Sequence, residues 1–344
     1  MQDRLQEALK VQDVEYADIR VEDLTESWVS YHGPELNKIG SARTVGGIVR
    51  ALWKGGWGYA TFNDIGDLRK RVREACETAR LVGGDKSYFA PVEPVTDAIS
   101  TELKKDFRVI PLAQKKDLME EYNKIVLGHD RKIQTSFVGY ADSFKRIWFA
   151  SSEGAFIEEE NPDVNIIVTA VAREGDIVQH AFEMCGGREG FQTVENFHEK
   201  ALQAASRAVE LLSAPPVVGG AYTIIANPWL TGVFIHEAFG HLSESDFVYE
   251  NQRMRDLMVL GKRFGVDGLN VIDDGSLPGG RGTHRYDYEG VPTQKTYLIK
   301  DGILTGRLHS RETAAKMGEK PTGNTRAVQF HHPPIVRMTN TYMD

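Results

Sequence analysis

The segment between residues 133 and 185 constrains the fold most, because it contains several short strand candidates separated by turn-forming sequences. The breaks include Ser152-Glu153-Gly154 and Arg173-Glu174-Gly175-Asp176, whose residue types favour tight turns. Short connections of this kind join neighbouring strands of a β-meander. The segment therefore predicts a mostly antiparallel sheet, with strands at residues 133–140, 145–150, 155–159, 165–173 and 176–185.

The rest of the first 214 residues predicts helices and further strands. Apolar side chains recur at helical spacing in three segments, and a short helix is expected at the amino terminus. These helices are predicted at residues 1–12, 67–82, 115–127 and 195–212. Strand-like alternation is found at residues 16–21, 25–31 and 44–62, where Gly46-Gly47 and Gly55-Gly56 suggest hairpin turns or bulges. Together the elements predict an α+β fold, in which a mostly antiparallel sheet packs against helices.

A proline-containing sequence, Ser213-Ala214-Pro215-Pro216, follows the last of these helices and marks the predicted domain boundary. We expect a first α+β domain at residues 1–214 and a second, β-rich domain at residues 215–344. In the second domain, residues 221–226 are predicted to form an apolar strand. Asn227-Pro228 is then expected to begin a helix.

Composition limits the class of function. Apolar residues make up 41% and charged residues 26% of the 344, as in an ordinary globular protein, and no apolar run has the length of a membrane span. The net charge of −8 argues against nucleic acid as the main partner, because phosphate binding favours a basic face. Only two cysteines, Cys76 and Cys185, are present, so a reducing cytoplasm is the expected location.

The chemistry of the chain is concentrated in His236-Glu237-Ala238-Phe239-Gly240-His241, within an apolar run. Two imidazoles and a carboxylate can supply the nitrogen ligands and the base of a catalytic zinc site. The histidines are five positions apart, which places their side chains roughly 140° from each other around a straight α-helix. A π-bulge would bring the two rings into line, and Gly240 could ease that distortion because it has no Cβ.

Other assignments of these residues stay open at this point. The two histidines could be buried helix residues with a purely structural role. A third ligand is not obvious, although Glu244 could be a ligand or an acceptor for an imidazole N–H. The acidic, glycine-rich residues 273–282 could form a solvated loop or shape the site. Further candidates for the third ligand are His284, His309, His331, His332 and Cys185.

Several blocks in the same order resemble the TldD/PmbA family of zinc peptidases, over the length of the chain. Residues 232–244, Gly-Val-Phe-Ile-His-Glu-Ala-Phe-Gly-His-Leu-Ser-Glu, resemble the H-E-x-x-x-H signature of its TldD-type members. The remaining blocks that resemble the family are residues 46–50, 57–60, 152–154, 273–275, 287–294, 321–324 and 337–343.

The resemblance implies zinc as the cofactor, His236 and His241 as ligands, and Glu237 as the catalytic carboxylate. It also implies a cysteine as the third ligand, at a position beyond Asp344, where this chain stops and family members continue. The chain is therefore expected to be shortened at its carboxyl end, with an incomplete second domain. The implied substrates are unfolded peptides or small proteins, and the implied partner is a PmbA-type subunit in a heterodimer, with a homodimer as the alternative.

Two functions from different classes follow from these observations. The first is a zinc metallopeptidase in which Glu237 activates a metal-bound water. The second is a non-catalytic peptide-binding or assembly subunit that lacks a complete metal site. Neither function is expected to involve nucleic acid or a membrane.

Overall fold

The computed structural model of the chain describes residues 1–10, 13–84 and 86–344. The described part of the first 187 residues forms a seven-stranded sheet with the order β3-β2-β1-β5-β6-β4, in which β7 also pairs with β6. Every pair of neighbours is antiparallel except β4 and β6, so the predicted α+β fold with a mostly antiparallel sheet is confirmed. The strands are β1 (Tyr16–His32), β2 (Glu35–Trp53), β3 (Gly56–Phe62), β4 (Thr96–Ile99), β5 (Ile133–Ser151), β6 (Phe156–Glu174) and β7 (Ile177–Gly187).

The strands are fewer and longer than the sequence predicts. The five candidates between residues 133 and 185 are three strands, and the two candidates at residues 16–31 are the single strand β1. The predicted break after residue 140 was wrong because its polar residues face the interior. Asp142 is buried there, and its carboxylate accepts hydrogen bonds from Lys115 Nζ and Ser27 Oγ, both at 2.5 Å. The polar residue Asp142 suggested a turn, but it forms a buried ion pair with Lys115, and the strand continues past it.

The glycine pairs have different roles. Lys54 and Gly55 adopt positive φ angles of 45° and 78° and form the two-residue turn between β2 and β3, as predicted for Gly55-Gly56. Gly46-Gly47 makes no turn and lies inside β2, opposite Glu22 and Val21. A Cβ on Gly47 would lie 2.3 Å from the carbonyl oxygen of Arg20, so this position requires glycine because the neighbouring strand β1 passes close to it.

Helices cover the sheet and form two hydrophobic cores. One core lies under α1 (Gln2–Leu9) and α2 (Leu68–Val82), and the other under α3 (Leu112–Gly128) and α4 (His198–Leu211). The four predicted helices are thus confirmed within one to three residues at most ends, although residues 11 and 12 of the first one lie outside the described residues.

The remaining strands form a smaller sheet with the order β10-β9-β8-β13, and a separate pair, β11 and β12. Residues 221–226 were predicted as a strand, and this was wrong: they are exposed and form none. A strand needs a neighbour for its backbone hydrogen bonds, and the described residues offer it no such partner. The elements are α5 (Pro228–Ile235), α6 (Ser245–Glu250), α7 (Gln252–Leu257), β8 (Val271–Asp274), β9 (Lys295–Lys300), β10 (Ile303–Leu304), α8 (Arg311–Met317), β11 (Thr325–Arg326), β12 (Ile335–Val336) and β13 (Thr341–Met343).

Buried charges connect the large sheet to the carboxyl-terminal half. Arg50 on β2 pairs with Asp18 on β1 at 2.6 Å and with Glu289 at 3.1 Å, and all three side chains are at most 5% exposed. Arg311 at the start of α8 donates two hydrogen bonds of 2.8 Å to Glu153 in the β5–β6 turn. The two halves are therefore held together by a buried pair at Arg50 and by a pair at Arg311 whose partner, Glu153, is 36% exposed. The predicted boundary near residue 215 stays a prediction.

Candidate metal centre

The helix that carries the first histidine begins where the sequence predicts. The side-chain oxygen of Asn227 accepts a hydrogen bond from Leu230 N at 2.8 Å, and Pro228 occupies the first helical position. α5 then ends at Ile235, and the chain continues as a π-helical turn, His236–Gly240. The predicted π-bulge is therefore present at the histidine pair.

The π-turn brings the two rings together. The ring centroids of His236 and His241 are 4.8 Å apart with an interplanar angle of 83°. Glu237 joins them, since one donor atom from each of the three residues lies within 4.8 Å of the others. His236 and Glu237 are exposed, so the interpretation of the histidines as buried helix residues was wrong. The side chain of His241 is 40% exposed, so none of the three residues is closed off from solvent.

Glu244 supports the second histidine from the opposite side of its ring. Its Oε1 lies 3.2 Å from Nδ1 of His241, and its Oε2 accepts a hydrogen bond of 3.1 Å from Arg337 Nη1. A carboxylate can only accept, so Nδ1 carries the proton and the lone pair is left on Nε2. That nitrogen lies 3.9 Å from Oε2 of Glu237. Of the two roles considered for Glu244, the geometry corresponds to the acceptor.

The π-turn is also packed from the carboxyl-terminal segment. A Cβ on Gly240 would lie 2.1 Å from Sδ of Met338, so the absence of a side chain lets the two segments touch. The sequence places Arg337 and Met338 in a block that resembles the family, residues 337–343, but does not predict their contact with the histidine motif. They lie nearly a hundred positions after the histidines, and no local pattern connects them to the motif.

Asp273 holds this packing segment in place. Its carboxylate accepts hydrogen bonds from Thr339 N at 2.8 Å, Thr341 Oγ1 at 2.7 Å and Asn324 Nδ2 at 2.8 Å. Asp273 is 1% exposed, so the start of the loop at residues 273–282 is not a solvated acidic cluster. The site-shaping role considered for this loop agrees with these contacts.

The other candidate ligands lie elsewhere. His309 is buried beside Ser245, Thr313 and Glu319, and His331 and His332 stack on each other at 4.3 Å. Burial raises the pKa of the Cys185 thiol to about 11, which disfavours the thiolate that a metal requires. Within residues 1–10, 13–84 and 86–344, no further His, Cys, Asp or Glu joins the group of three.

Comparison with known proteins identifies the family. Sequence models described as PmbA/TldA metallopeptidase domain 1, central domain and C-terminal domain match residues 17–80, 105–212 and 219–344. A metalloprotease from Synechocystis is 44% identical over 330 residues, which cover 96% of this chain and 71% of that protein. A zinc metalloprotease TldD homolog from Saccharolobus solfataricus is 26% identical over 333 residues, which cover 95% of this chain and 72% of that protein. The chain therefore belongs to the PmbA/TldA metallopeptidase family, as its motifs indicate.

A solved structure agrees with the fold. A protein from Thermotoga maritima matches with a TM-score of 0.81 at 20% identity, over 98% of this chain and 76% of that one. At such low identity the likeness concerns the fold alone. The part of the chain that the structure describes contains no helix long and apolar enough to cross a membrane.

Proposed function

We propose that this chain is a zinc-dependent metallopeptidase subunit in which His236 and His241 bind the ion and Glu237 is the catalytic carboxylate. The observation that carries the proposal is the π-turn, which gathers two imidazoles and a carboxylate within 4.8 Å. The family relation supports it, because relatives are named metalloproteases and one is named a zinc metalloprotease.

The donor set fits zinc. Zinc prefers imidazole nitrogen, and the contact from Glu244 fixes the tautomer that leaves Nε2 of His241 available. When bound, zinc would polarise the scissile carbonyl and lower the pKa of water toward about 7. Catalytic zinc usually has three protein ligands, and we propose a cysteine as the third, as the family resemblance implies.

Glu237 is the group that moves the proton in this proposal. Its side chain is 67% exposed and can accept a proton from the attacking water and pass it to the leaving amine. Glu244, at 1% exposure, is hydrogen-bonded to His241 and Arg337 and is not available for that role.

The proposed substrates are unfolded peptides or small proteins. Main-chain hydrogen bonds to an extended segment supply affinity without sequence specificity. We also propose a PmbA-type partner subunit or a second copy of the chain, and a cytoplasmic location. The location is supported by Cys76 and Cys185, which are unpaired and lie on different elements.

Zinc binding and hydrolysis can be tested separately. Competition with a chromogenic chelator should show zinc binding to the wild-type chain, and His236→Ala and His241→Ala should each weaken it at least 10–100-fold, the loss typical of removing even an outer contact. Glu237→Gln should keep most of the zinc affinity but slow the hydrolysis of unfolded casein by about 10²–10⁴-fold. Glu250→Gln, an exposed carboxylate on α6, is the matched control and should change neither property.

Two results would overturn the proposal. Equal zinc affinity in the histidine variants would place the ion elsewhere, and unchanged hydrolysis in Glu237→Gln would exclude its catalytic role. The second result would favour a non-catalytic peptide-binding or assembly subunit. That function has support of its own, since α5 exposes Trp229, Leu230 and Phe234 by 47–59%.

A further inference from the structure

A second cluster of functional groups lies near Met338, the residue that packs on Gly240 of the π-turn. Arg326, a member of this cluster, donates a hydrogen bond to the carbonyl of Met338. The cluster forms a cleft of about 400 Å³ lined by four cationic side chains, Lys145, Arg188, Arg281 and Arg326, and by the single carboxylate of Asp163. The cations come from β5, the end of β7, the loop after β8, and β11. Four separate elements therefore direct positive charge into one space, although the whole chain has a net charge of −8.

Two of these cations have counterions. Arg281 pairs with Asp163, with an Nε–Oδ1 distance of 2.7 Å, and Lys145 Nζ lies 3.3 Å from Oε2 of Glu22. Arg188 and Arg326 interact with carboxylates only at longer range, Arg188 with Glu159 and Asp163, and Arg326 with Asp273 and Glu244.

Arg188 and Arg326 are bonded only to neutral acceptors in the described residues. Arg188 donates to the carbonyl of Thr283 and to the side-chain oxygen of Asn161. Arg326 donates to the carbonyl of Met338 and to Nε2 of His284, the latter at 3.1 Å. Neither guanidinium has a carboxylate within 4.0 Å among those residues, and burial lowers the pKa of both. Both side chains are partly buried, and a partly buried cation without a contacting carboxylate is less favourable than a paired one, so a bound anion would lower that cost.

His284 provides a neutral donor at the same place. Arginine can only donate, so Nε2 of His284 accepts from Arg326 and the ring proton lies on Nδ1. Nδ1 has no hydrogen-bond partner among the described side chains and is available to a ligand. Burial, followed by Arg326, Arg188 and Lys145, lowers the pKa of His284 to about 3, so the ring is neutral at pH 7.

We propose that this cleft binds an oxyanion, a carboxylate or phosphate group, between Arg188, Arg326 and the Nδ1–H of His284. Guanidinium groups are suited to such ligands because their planar N–H pairs match two oxygens at once. An adjoining cleft of about 590 Å³ shares Arg188 and His284 and is also lined by Glu159 and Glu160, so there is room for a molecule larger than a free ion whose remaining part is not anionic. None of the residues that line the cleft is a proposed metal ligand.

Calorimetric titration of the full chain tests the proposal, with three probes at constant ionic strength: inorganic phosphate, an acetylated tripeptide acid, and its C-terminal amide. At least one of the two anions should bind with 1:1 stoichiometry and raise the melting temperature, while the amide should not bind. Binding of the acid alone identifies a peptide carboxylate as the ligand, and binding of phosphate alone identifies a phosphate group.

Variants assign the binding to the cleft. Arg326→Gln and Arg188→Gln should each lower the affinity for the anion by about tenfold or more, the usual effect of losing a charged hydrogen bond. Arg281→Gln alters a side chain that is 45% exposed, so the variant should fold normally and still bind the anion with lower affinity than wild type. Arg43→Gln breaks an exposed pair with Asp23, neither of which lines the cleft; it is the control and should bind as wild type does. The absence of 1:1 binding by either anion, or wild-type affinity in all three cleft variants, would overturn the proposal.

Discussion

Gly240 shows how a single residue decides the geometry of the candidate metal centre. It closes the π-turn between the two histidines and lies against Met338, a contact that leaves no space for a Cβ. The sequence indicates why glycine helps here, because the spacing of five requires a distorted helix. It does not indicate the contact with Met338, which depends on how distant segments pack.

Gly240→Ala should lower the free energy of unfolding by about 1–3 kcal/mol, as expected for overpacking, and should weaken zinc binding because the turn must shift. Chemical denaturation and the chelator competition measure the two effects. The control is Gly232→Ala on α5, where an added Cβ meets nothing within 4 Å and helix propensity favours alanine by about 0.5–1 kcal/mol. Equal stability of the two variants would contradict the packing argument.

His284 should make stability dependent on pH. Its pKa is lowered in the folded state from 6.5 to about 3, first by burial and then by Arg326, Arg188 and Lys145. Between these two pH values the unfolded chain binds a proton that the folded chain does not. Stability from this residue is therefore complete above pH 6.5 and falls below it, by about 1.4 kcal/mol per pH unit.

The effect of His284 can be isolated with His284→Gln, which does not titrate and keeps a side-chain acceptor for Arg326. Free energies of unfolding should be measured for both proteins between pH 8 and pH 5. The wild type should lose about 2 kcal/mol more than the variant at pH 5. Parallel pH curves would show that the folded ring takes up its proton normally.

At the scale of elements, helices were predicted more accurately than strands. Helix signals are local: Asn227 caps α5, Asp67 caps α2, and apolar residues recur along one face. Strands depend on partners. β5 continues through residues 141–144, which were predicted as a break, because Asp142 there pairs in the interior with Lys115 of α3. For the same reason, residues 221–226 look like a strand but form none, because no described segment pairs with them.

Asn227→Ala should loosen the start of α5, because it removes the side-chain acceptor of Leu230 N. The expected cost is about 1 kcal/mol, and exchange of the Leu230 amide hydrogen should speed up by about fivefold. Asn227→Asp keeps an acceptor oxygen and should leave that exchange rate close to the wild-type value. If both variants exchange alike, the cap does not stabilise the helix that leads to His236.

At the scale of the whole molecule, buried ion pairs connect the large sheet to the carboxyl-terminal half. Arg50→Met would leave Asp18 and Glu289 as buried carboxylates without their cation. Removing one member of a buried pair typically costs about 3–5 kcal/mol, and we expect this loss in the free energy of unfolding. The control Arg43→Gln breaks an exposed pair and should change stability little. A small effect of Arg50→Met would show that the halves are held together in another way.

The sequence by itself determined the family, the α+β class, the starts of α2 and α5 and the residues of the π-turn, because these depend on short-range spacing and residue type. Tertiary structure alone decided which distant residues support them. Arg337 holds Glu244 beside His241, Met338 packs on Gly240, and Asp273 fixes the segment of Arg337 and Met338. The cationic cleft is likewise formed by residues from four separate elements, whose proximity depends on packing and not on any pattern along the chain.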